Sequence, residues 1–463
     1  PHRLVHDTAN DRFVWEPCPW RERLSGDDTR NPAPSWFGSK LESISAHQGR
    51  LFLFGAGYIT SGEVAAPRRS VFNLYDYNVD VPSEADRIEI AITDASLGDV
   101  RYSEPIGNDL VLLCENGIDL FTSGNDPLTA FNGRDFKILD LPSADVRPAT
   151  SGTSLYFLDQ LERVHWLSYE GGAVQYQGAV NDHRQDILQG ETVEAMHAVD
   201  QTLYIIAESG SIKTLDRYLI PSGNYQLAWS QLEFYERPVF IGHYDNRTKL
   251  LTSSEAEGYS LLDYLHRQPI FLDDWDYEIC LDRREAVAGT YDFSKDQTVF
   301  TLTGRSASLA GTVLVASIDS GGTRINQPLS PIRVVNNKAY FSGDWSGQTH
   351  YIGFVYESEL VLSKLWAGLT NVMPLLSRLT VIHRNATDYI VETTVRGGDA
   401  EASDWSAAEI GLSSIGQLRS GTGSSTHFAF GDARETSVAI KSSSAGYFEV
   451  AALEYQVRTR GRT

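Results

Sequence analysis

One pattern returns five times before residue 265, and it limits what this chain can fold into more than any other feature. A short apolar run is followed by a turn rich in Gly, Asn, Asp or Ser and then by a second alternating run. It occurs as Arg50-Leu51-Phe52-Leu53-Phe54 with Gly55 and Gly57, and as Leu110-Val111-Leu112-Leu113 before Gly117-Ile118-Asp119-Leu120-Phe121. It returns as Leu155-Tyr156-Phe157-Leu158 before Val164-His165-Trp166-Leu167, and as Leu203-Tyr204-Ile205-Ile206 before Gly210-Ser211-Ile212. The fifth copy is Leu250-Leu251 before Gly258-Tyr259-Ser260-Leu261-Leu262. The starting leucines lie 59, 45, 48 and 47 residues apart. Four-stranded propeller blades repeat at about 40–50 residues, and a lone hairpin cannot bury both faces, so neighbouring copies must stack. The expectation is a β-propeller-like array of antiparallel hairpins over residues 41–275, after an opening segment 1–40. Unrelated hairpins in a sandwich are the alternative.

The texture changes beyond residue 275. Alternating runs such as Val299-Phe300-Thr301-Leu302, Tyr389-Ile390-Val391-Glu392-Thr393-Thr394-Val395 and Val438-Ala439-Ile440 continue, separated by Gly321-Gly322 and Asn336-Asn337. Residues 276–463 therefore read as an antiparallel β-sandwich or barrel domain, and the whole chain as mainly β. Gly421-Thr422-Gly423-Ser424-Ser425 has the composition of a flexible loop. Helix is scarce: Glu359 to Leu365 is the one short candidate, and no long stripe of period 3.6 is present.

Charge restricts the function. Lys and Arg number 39 against 61 Asp and Glu, a formal net charge of −22. Gripping duplex DNA requires clustered cations that displace phosphate counterions, so a gripping surface is disfavoured, whereas a conduit through which nucleic acid merely passes is not. With 41% hydrophobic and 22% charged residues the chain can bury a large core. Cys18, Cys114 and Cys280 are too few and too widely spaced for a disulfide framework or a zinc knuckle, which points to a reducing compartment during assembly. No apolar run approaches the ~20 residues of a membrane-spanning helix. There is no signal-peptide pattern, and a start at Pro1 suggests numbering that begins inside a longer product or after processing.

The chemical constellations have simpler readings. Ser25-Gly26-Asp27-Asp28 contains a Gly-Asp-Asp string that holds metal ions in polymerases, but it sits in a Pro- and Arg-rich turn without a flanking strand pair. Ser317-Ile318-Asp319-Ser320-Gly321-Gly322-Thr323-Arg324 resembles one Asp-box of sialidase-type propellers with Arg in place of the final Trp, and an Asp bonding its own turn amides explains it. Glycoside hydrolysis needs two carboxyls held about 5–10 Å apart, which pairs such as Asp273-Asp274 do not by themselves supply. The 11 His residues form no zinc motif, and no nucleophile elbow or phosphate loop occurs. No catalytic residue, metal site or cofactor emerges, and the chain reads as a non-enzyme.

The opening segment is more specific. Pro1-His2-Arg3-Leu4-Val5 and Phe13-Val14-Trp15 lead into Trp20-Arg21-Glu22-Arg23 and Gly26-Asp27-Asp28-Thr29-Arg30-Asn31-Pro32-Ala33-Pro34-Ser35-Trp36-Phe37-Gly38. This closely resembles the central motif of the tail nozzle proteins of short-tailed phages (podoviruses), also called tail tubular protein B. Gly49-Arg50-Leu51 stands where the family has Asn-Arg-Leu, with Gly for Asn. Val71-Phe72-Asn73-Leu74-Tyr75 is similar to the family's Phe-Asn-Phe segment, and Asp86 to Ala91 to its acidic-to-apolar strand. Tyr351 to Glu357, Arg378-Leu379-Thr380-Val381, Gly446-Tyr447-Phe448-Glu449-Val450 and Arg458-Thr459-Arg460 resemble its last strands. Family members are usually longer, with a further upstream portion.

The resemblance implies a structural virion protein at the tail tip, assembled in the bacterial host cytoplasm. It implies a homohexameric ring below the tail adaptor ring, with tail fibres or spikes nearby. That ring encloses the channel, holds the genome in and conducts double-stranded DNA during ejection, without specific binding. Six copies at −22 sum to −132; that acidity either repels phosphate along the wall or only keeps the surface soluble. Asp27, Asp28 and Asn31 are expected to cap turns, with Arg21 or Arg23 pairing to them, so that Asp28→Ala should lower thermal stability or ring assembly. Trp20, Gly26, Pro32, Pro34 and Gly38 complete the motif. Gly321, Gly322, Gly421 and Gly423 mark candidate gate or channel loops, since Gly-rich loops can move. A glycan-binding or glycan-hydrolysing tail propeller is the competing reading.

Overall fold

The computed structural model describes residues 2–461 except 181–186, 200, 220–224, 235, 245–246, 255–257, 265–280, 303–315, 321–322, 328–330, 347–348, 355, 363–371, 387, 408–420 and 444–447. The chain is almost all β and divides into two compact units, Pro1–His266 and Arg267–Thr463. The first opens with a two-stranded ribbon, β1 (His2–Asp7) and β2 (Arg12–Pro17).

Five antiparallel sheets follow in chain order. The first is β3 (Ser43–His47), β4 (Arg50–Gly55), β5 (Tyr58–Ser61) and β6 (Ile88–Ala91); the second is β7 (Val100–Ile106), β8 (Asp109–Cys114), β9 (Ile118–Thr122) and β10 (Arg134–Leu139). The third is β11 (Ala149–Ser151), β12 (Ser154–Leu158), β13 (Val164–Glu170) and β14 (Ala173–Ala179). The fourth is β15 (Val193–Val199), β16 (Thr202–Ala207), β17 (Ser211–Leu219) and β18 (Tyr225–Glu233), and the fifth is β19 (Arg237–Tyr244), β20 (Arg247–Ser254) and β21 (Gly258–Tyr264). Each sheet pairs its strands in sequence order, as a propeller blade does.

The five repeated leucines all fall on the second strand of a sheet. In β8, β12 and β16 every residue is buried, because a central strand between stacked sheets has no solvent face and so reads as a continuous apolar run. Alternate side chains serve opposite neighbours. Leu110, Leu112 and Cys114 pack with Phe52 and Phe54 of the first sheet, whereas Val111 and Leu113 pack with Leu155 and Phe157 of the third. Tyr156 and Leu158 then meet Leu203 and Ile205 of the fourth, and Tyr204 and Ile206 meet Ile241 and Leu250 of the fifth. A one-residue register slip would exchange the two sets, so register is fixed from both sides.

In the second unit, β22 (Asp282–Asp292), β23 (Gln297–Thr301), β26 (Arg333–Val335), β27 (Lys338–Ser342) and β28 (Thr349–Phe354) make a sheet of order β26-β27-β23-β22-β28. The hairpin β24 (Ala316–Ser320) and β25 (Thr323–Gln327) carries most of the Asp-box-like string, with Asp319 opposite Arg324. A sandwich follows. One sheet is β29 (Ser358–Leu362), β34 (Thr436–Ser442), β31 (Asp388–Val395) and β32 (Ala400–Ser406); the other is β33 (Gly421–Asp432), β30 (Val372–Ala386) and β35 (Glu449–Gly461). Leu379, Val381, Tyr389, Val391, Ala429, Val438 and Ile440 fill the space between them.

Two expectations are corrected here. Residues 358–362 are strand β29, not helix, because Leu360 and Val361 lie opposite Ile440 and Ala439 of β34 and Glu359 pairs with Lys441 at 3.3 Å. Gly421 and Gly423 are not in a loop but open β33. The long strand β30 pairs Ala386 with Gly421, His383 with Gly423 and Val381 with Ser425, so the ladder holds a Gly/Ser/Thr stretch whose composition alone reads as flexible. Helix among the described residues is limited to 3-10 turns such as Ala95–Leu97.

Candidate functional site

The first repeat interval is the longest because residues 62–87 are inserted between β5 and β6 of the first sheet. This insertion and the Gly-Asp-Asp-Thr-Arg-Asn-Pro motif fold onto one another over the outer face of that sheet. Leu53, the β4 residue pointing away from the second sheet, packs with Trp36 and Leu74, and Trp20 and Leu41 close the cluster. Trp20 also meets Phe72 edge-on at 5.6 Å. The opening segment therefore covers the one face of the first sheet that no neighbouring sheet covers, as terminal caps do in stacked arrays.

Within the motif, Asp27 accepts from Thr29 N and Arg30 N, both at 2.9 Å, and these two amides hold its carboxyl below the ordinary range. Gly26 has φ +77°, and a Cβ there would lie 3.0 Å from both Asn31 Cβ and Val79 Cγ1, so only glycine fits. Asn31 is fully buried. Its Nδ2 donates to Ser25 O at 2.9 Å and Asp76 O at 3.0 Å, and its Oδ1 accepts from Asp76 N at 3.0 Å. It thereby imitates a strand neighbour for the insertion and ties the motif to it. Pro34 is buried and Pro32 and Gly38 are exposed.

Of the two arginines the sequence offered as partners for the motif, Arg23 makes the pairing. Arg23 pairs with Asp28 at 2.6 Å and donates to Asn31 O at 3.0 Å. Arg21 donates instead to Arg68 O at 3.2 Å, while its backbone N bonds Phe72 O at 3.1 Å. Arg21 thus secures the insertion and leaves the motif carboxylates to Arg23.

Beneath the motif lies a charged cluster. Arg50 on β4 is 1% exposed; its guanidinium donates to Gly62 O at 3.1 Å, Asp86 O at 2.6 Å and Glu84 O at 2.7 Å. Burial lowers its pKa to about 10, which leaves it charged at neutral pH. Arg69 bridges the buried carboxylates of Glu63 at 3.0 Å and Asp86 at 2.7 Å. Arg87 completes the set with Glu89 at 3.1 Å and Leu74 O at 3.1 Å. The sequence marked Arg50 as part of a strand and of the family's Asn-Arg-Leu segment, without a role in a charged cluster, and gave Glu63, Arg69 and Arg87 no role. A further signal was the interval of 59 residues where its neighbours are 45–48.

The Gly-for-Asn replacement at position 49 has a direct explanation. Gln48 (φ 44°) and Gly49 (φ 71°) form the two-residue turn between His47 and Arg50. A type I′ hairpin needs positive φ at both positions, and Gly and Asn tolerate that conformation best.

The charged groups of this site are directed at other parts of the chain. Asp27 and Asp28 are occupied by turn amides and by Arg23, and among the described residues no group of three His, Cys, Asp or Glu side chains converges as a metal site. The geometry is that of a clamp: it fixes an opening segment and an insertion to one end of an array. Gly321 and Gly322 lie outside the described residues. Gly423, on β33, is remote from the clamp in chain position and lies against His383, whose Nε2 would be 3.8 Å from an added Cβ. No helix of the described residues is long and apolar enough to cross a membrane.

Of the second set of family-like residues, Arg378–Val381 and Arg458–Arg460 lie on the adjacent strands β30 and β35, while Tyr351–Phe354 lie on β28 in another sheet. Arg378 to Val381 on β30 pair with Leu453 to Gln456 on β35, and Leu375 pairs with Arg458.

The family model for "Bacteriophage nozzle protein" matches residues 1–462. The chain is 22% identical to the tail tubular protein gp12 of Escherichia phage T7 over 481 residues, covering 96% of this chain and 58% of that relative; it therefore spans under two thirds of the relative's length. Among solved structures it is similar to Prp20p from Saccharomyces cerevisiae (10% identity, TM-score 0.30, 49% of this chain and 58% of that one). Human WBSCR16 gives 12% identity and a TM-score of 0.31 over 68% of this chain and 87% of that one. Likenesses at those TM-scores carry no argument.

Proposed function

The chain belongs to the bacteriophage nozzle protein family and is a component of the virion tail, and from that premise we propose that it is a wall subunit of a homohexameric nozzle ring. The ring closes the tail channel, retains the genome and conducts double-stranded DNA during ejection. It sits below the tail adaptor ring, near the fibres or spikes, and works without turnover. The observation that carries this reading is the family match along residues 1–462, to which the capped array adds physical support. Its sheets stack through cores shared by neighbours, and its buried charges are consumed in holding its own segments together. That is the build of a wall rather than of a catalytic cleft.

A closed ring repeats one heterologous interface by rotation. Acidic lumen walls would repel phosphate and favour sliding over gripping. Channel-lining roles for the segments at 321–322 and 421–426 belong to this proposal as well, with the second acting as an ordered strand.

Electron microscopy of the purified chain, alone and mixed with tails lacking it, tests the reading. Six-fold rings of 308 kDa, six times 51.4 kDa, or six-fold density restored at the tail tip, are expected. A trimer that releases reducing sugar from host glycans would replace the conduit with a hydrolase. A chain that neither forms rings nor binds tails would remove it.

A further inference from the structure

Five side chains, three of them buried and the two serines half-buried, form a chain of hydrogen bonds between the two sheets of the sandwich. His383 Nδ1 on β30 meets Tyr389 Oη on β31 at 3.0 Å. Tyr389 Oη also meets Ser425 Oγ on β33. Ser425 Oγ meets His427 Nε2 at 2.7 Å, and His427 Nδ1 meets Ser403 Oγ on β32 at 3.0 Å. His383, Tyr389 and His427 are 2%, 1% and 3% exposed. Three of the four links cross from one sheet to the other. Trp405 of β32 stacks on Tyr389 at 5.0 Å and lies 4.0 Å from the His383 ring.

Proton counting limits the states this chain can adopt. With both imidazoles neutral, each link has one donor and one acceptor, whichever way the chain runs. One added proton is also accommodated, because the hydroxyls of Tyr389 and Ser425 rotate to pass the donor direction along. A second is not. Both imidazoles then donate inward, and the hydroxyl proton of Tyr389 or Ser425 faces no acceptor within the chain; at the fully buried Tyr389 that costs what any unmade buried hydrogen bond does.

We propose that the chain His383–Tyr389–Ser425–His427–Ser403 is an acid-operated latch between the facing sheets of the sandwich, closed with at most one extra proton and released by the second. No charged side chain is hydrogen-bonded into it among the described residues. On the strands that carry it, Arg384 alternates to the opposite face and pairs with Glu449 at 3.8 Å, and Glu392 pairs with Lys441 at 3.0 Å. Asp404 alternates outward from Ser403 and Trp405, and Glu401 and Asp388 stand at the ends of β32 and β31. Across the core, β34 presents Val438 and Ile440, and β35 presents Leu453. Nothing nearby repays a buried imidazolium. Burial accordingly holds His383 and His427 below the ordinary imidazole value, a hydrogen bond at Val381 opposing it for His383 and the charge of His383 adding to it for His427. The sign follows: stability from these groups is complete above pH ~6.5 and is lost as pH falls through the lowered values.

Hydrogen–deuterium exchange on the full chain, read by peptide at pH values from 7.5 to 4.5 and corrected for intrinsic exchange, tests this. Protection of β30 and β33 should collapse in mild acid with a slope above one proton, while β8 and β12 keep theirs. In His383→Gln and His427→Gln the collapse should move at least about 1 pH unit lower and its slope fall toward one proton. Equal protection of β30 and β33 at pH 7.5 and 4.5 in the wild type overturns the latch, even if both variants fail to fold. So does a variant that keeps the wild-type midpoint and slope.

Discussion

The clamp on the first sheet and the imidazole–hydroxyl chain in the sandwich both bury polar groups, and they satisfy them in opposite ways. The clamp uses full charges: Arg50 on three carbonyls, and Arg69 between Glu63 and Asp86. Each of its buried carboxylates has an arginine partner, and Arg50, with a pKa lowered only to about 10, stays charged at neutral pH. The sandwich uses neutral groups whose bonding depends on the proton count. Compensated charge gives a fastening indifferent to pH near neutrality, whereas neutral titratable groups give one that is sensitive to it. The N-terminal unit also buries titratable groups outside the clamp, among them Asp119 on β9, which is fully buried and ion-paired with no cation among the described residues. Burial, with Asp135 adding to it, raises its pKa to about 7.

The contrast can be broken most forcefully at Arg69. Arg69→Ala leaves the Glu63 and Asp86 carboxylates buried without their bridge, and urea unfolding should show a loss of about 3–5 kcal/mol; a loss under about 1 would mean the clamp contributes little. Asp119 gives the units opposite pH responses. A carboxyl whose folded pKa lies above its unfolded one costs stability as pH rises, beginning near the ordinary value of 3.8 and levelling off above about 7. The stability of Asp119→Asn relative to wild type should therefore improve from pH 4 to 7, by on the order of 3 kcal/mol, and stay flat above. A difference independent of pH would show that Asp119 carries no such cost. Asn31→Ala removes two hydrogen bonds to Asp76 of the insertion and one to Ser25 O within the opening segment, and should cost about 2 kcal/mol while loosening amide protection at Asp76. Asp28→Ala should be smallest, at most about 0.5 kcal/mol in low salt, because its carboxylate is 90% exposed and meets only Arg23. A larger loss at Asp28 would restore the weight the sequence placed on it.

The sequence made the array legible because the second strand of each sheet is buried on both sides, and an unbroken apolar run between Gly turns has few other meanings. The outer strands were less legible. Ala173–Ala179 mixes exposed and half-buried residues without alternation, and Ala-Val-Gln-Tyr-Gln-Gly-Ala announces no strand. Composition misled at Gly421–Thr426, where the partner strand decides the conformation, and the short helix expected at Glu359 to Leu365 is strand over 358–362, the rest of it lying outside the described residues. In the clamp, the Asp27 turn could be read locally, since its bonds reach only two or three residues onward. Arg50 could not, because its acceptors are backbone carbonyls 12, 34 and 36 residues away, and a carbonyl has no signature in a sequence.

Those same separations give the first sheet a mechanical character. Gly62, Glu84 and Asp86 bracket the insertion, and one guanidinium holds all three. Tension drawn along the backbone through β5 and β6 would meet the Arg50 bonds, the Arg69 bridge from Glu63 to Asp86 and the Val64–Ala85 backbone bond together, so residues 62–87 constitute slack stored behind one composite fastener. Once that fastener parts, chain spanning roughly 80 Å when fully extended becomes available while the four sheets beyond remain stacked. A protein arranged this way lengthens in one step at one end and keeps the rest of its array as it was.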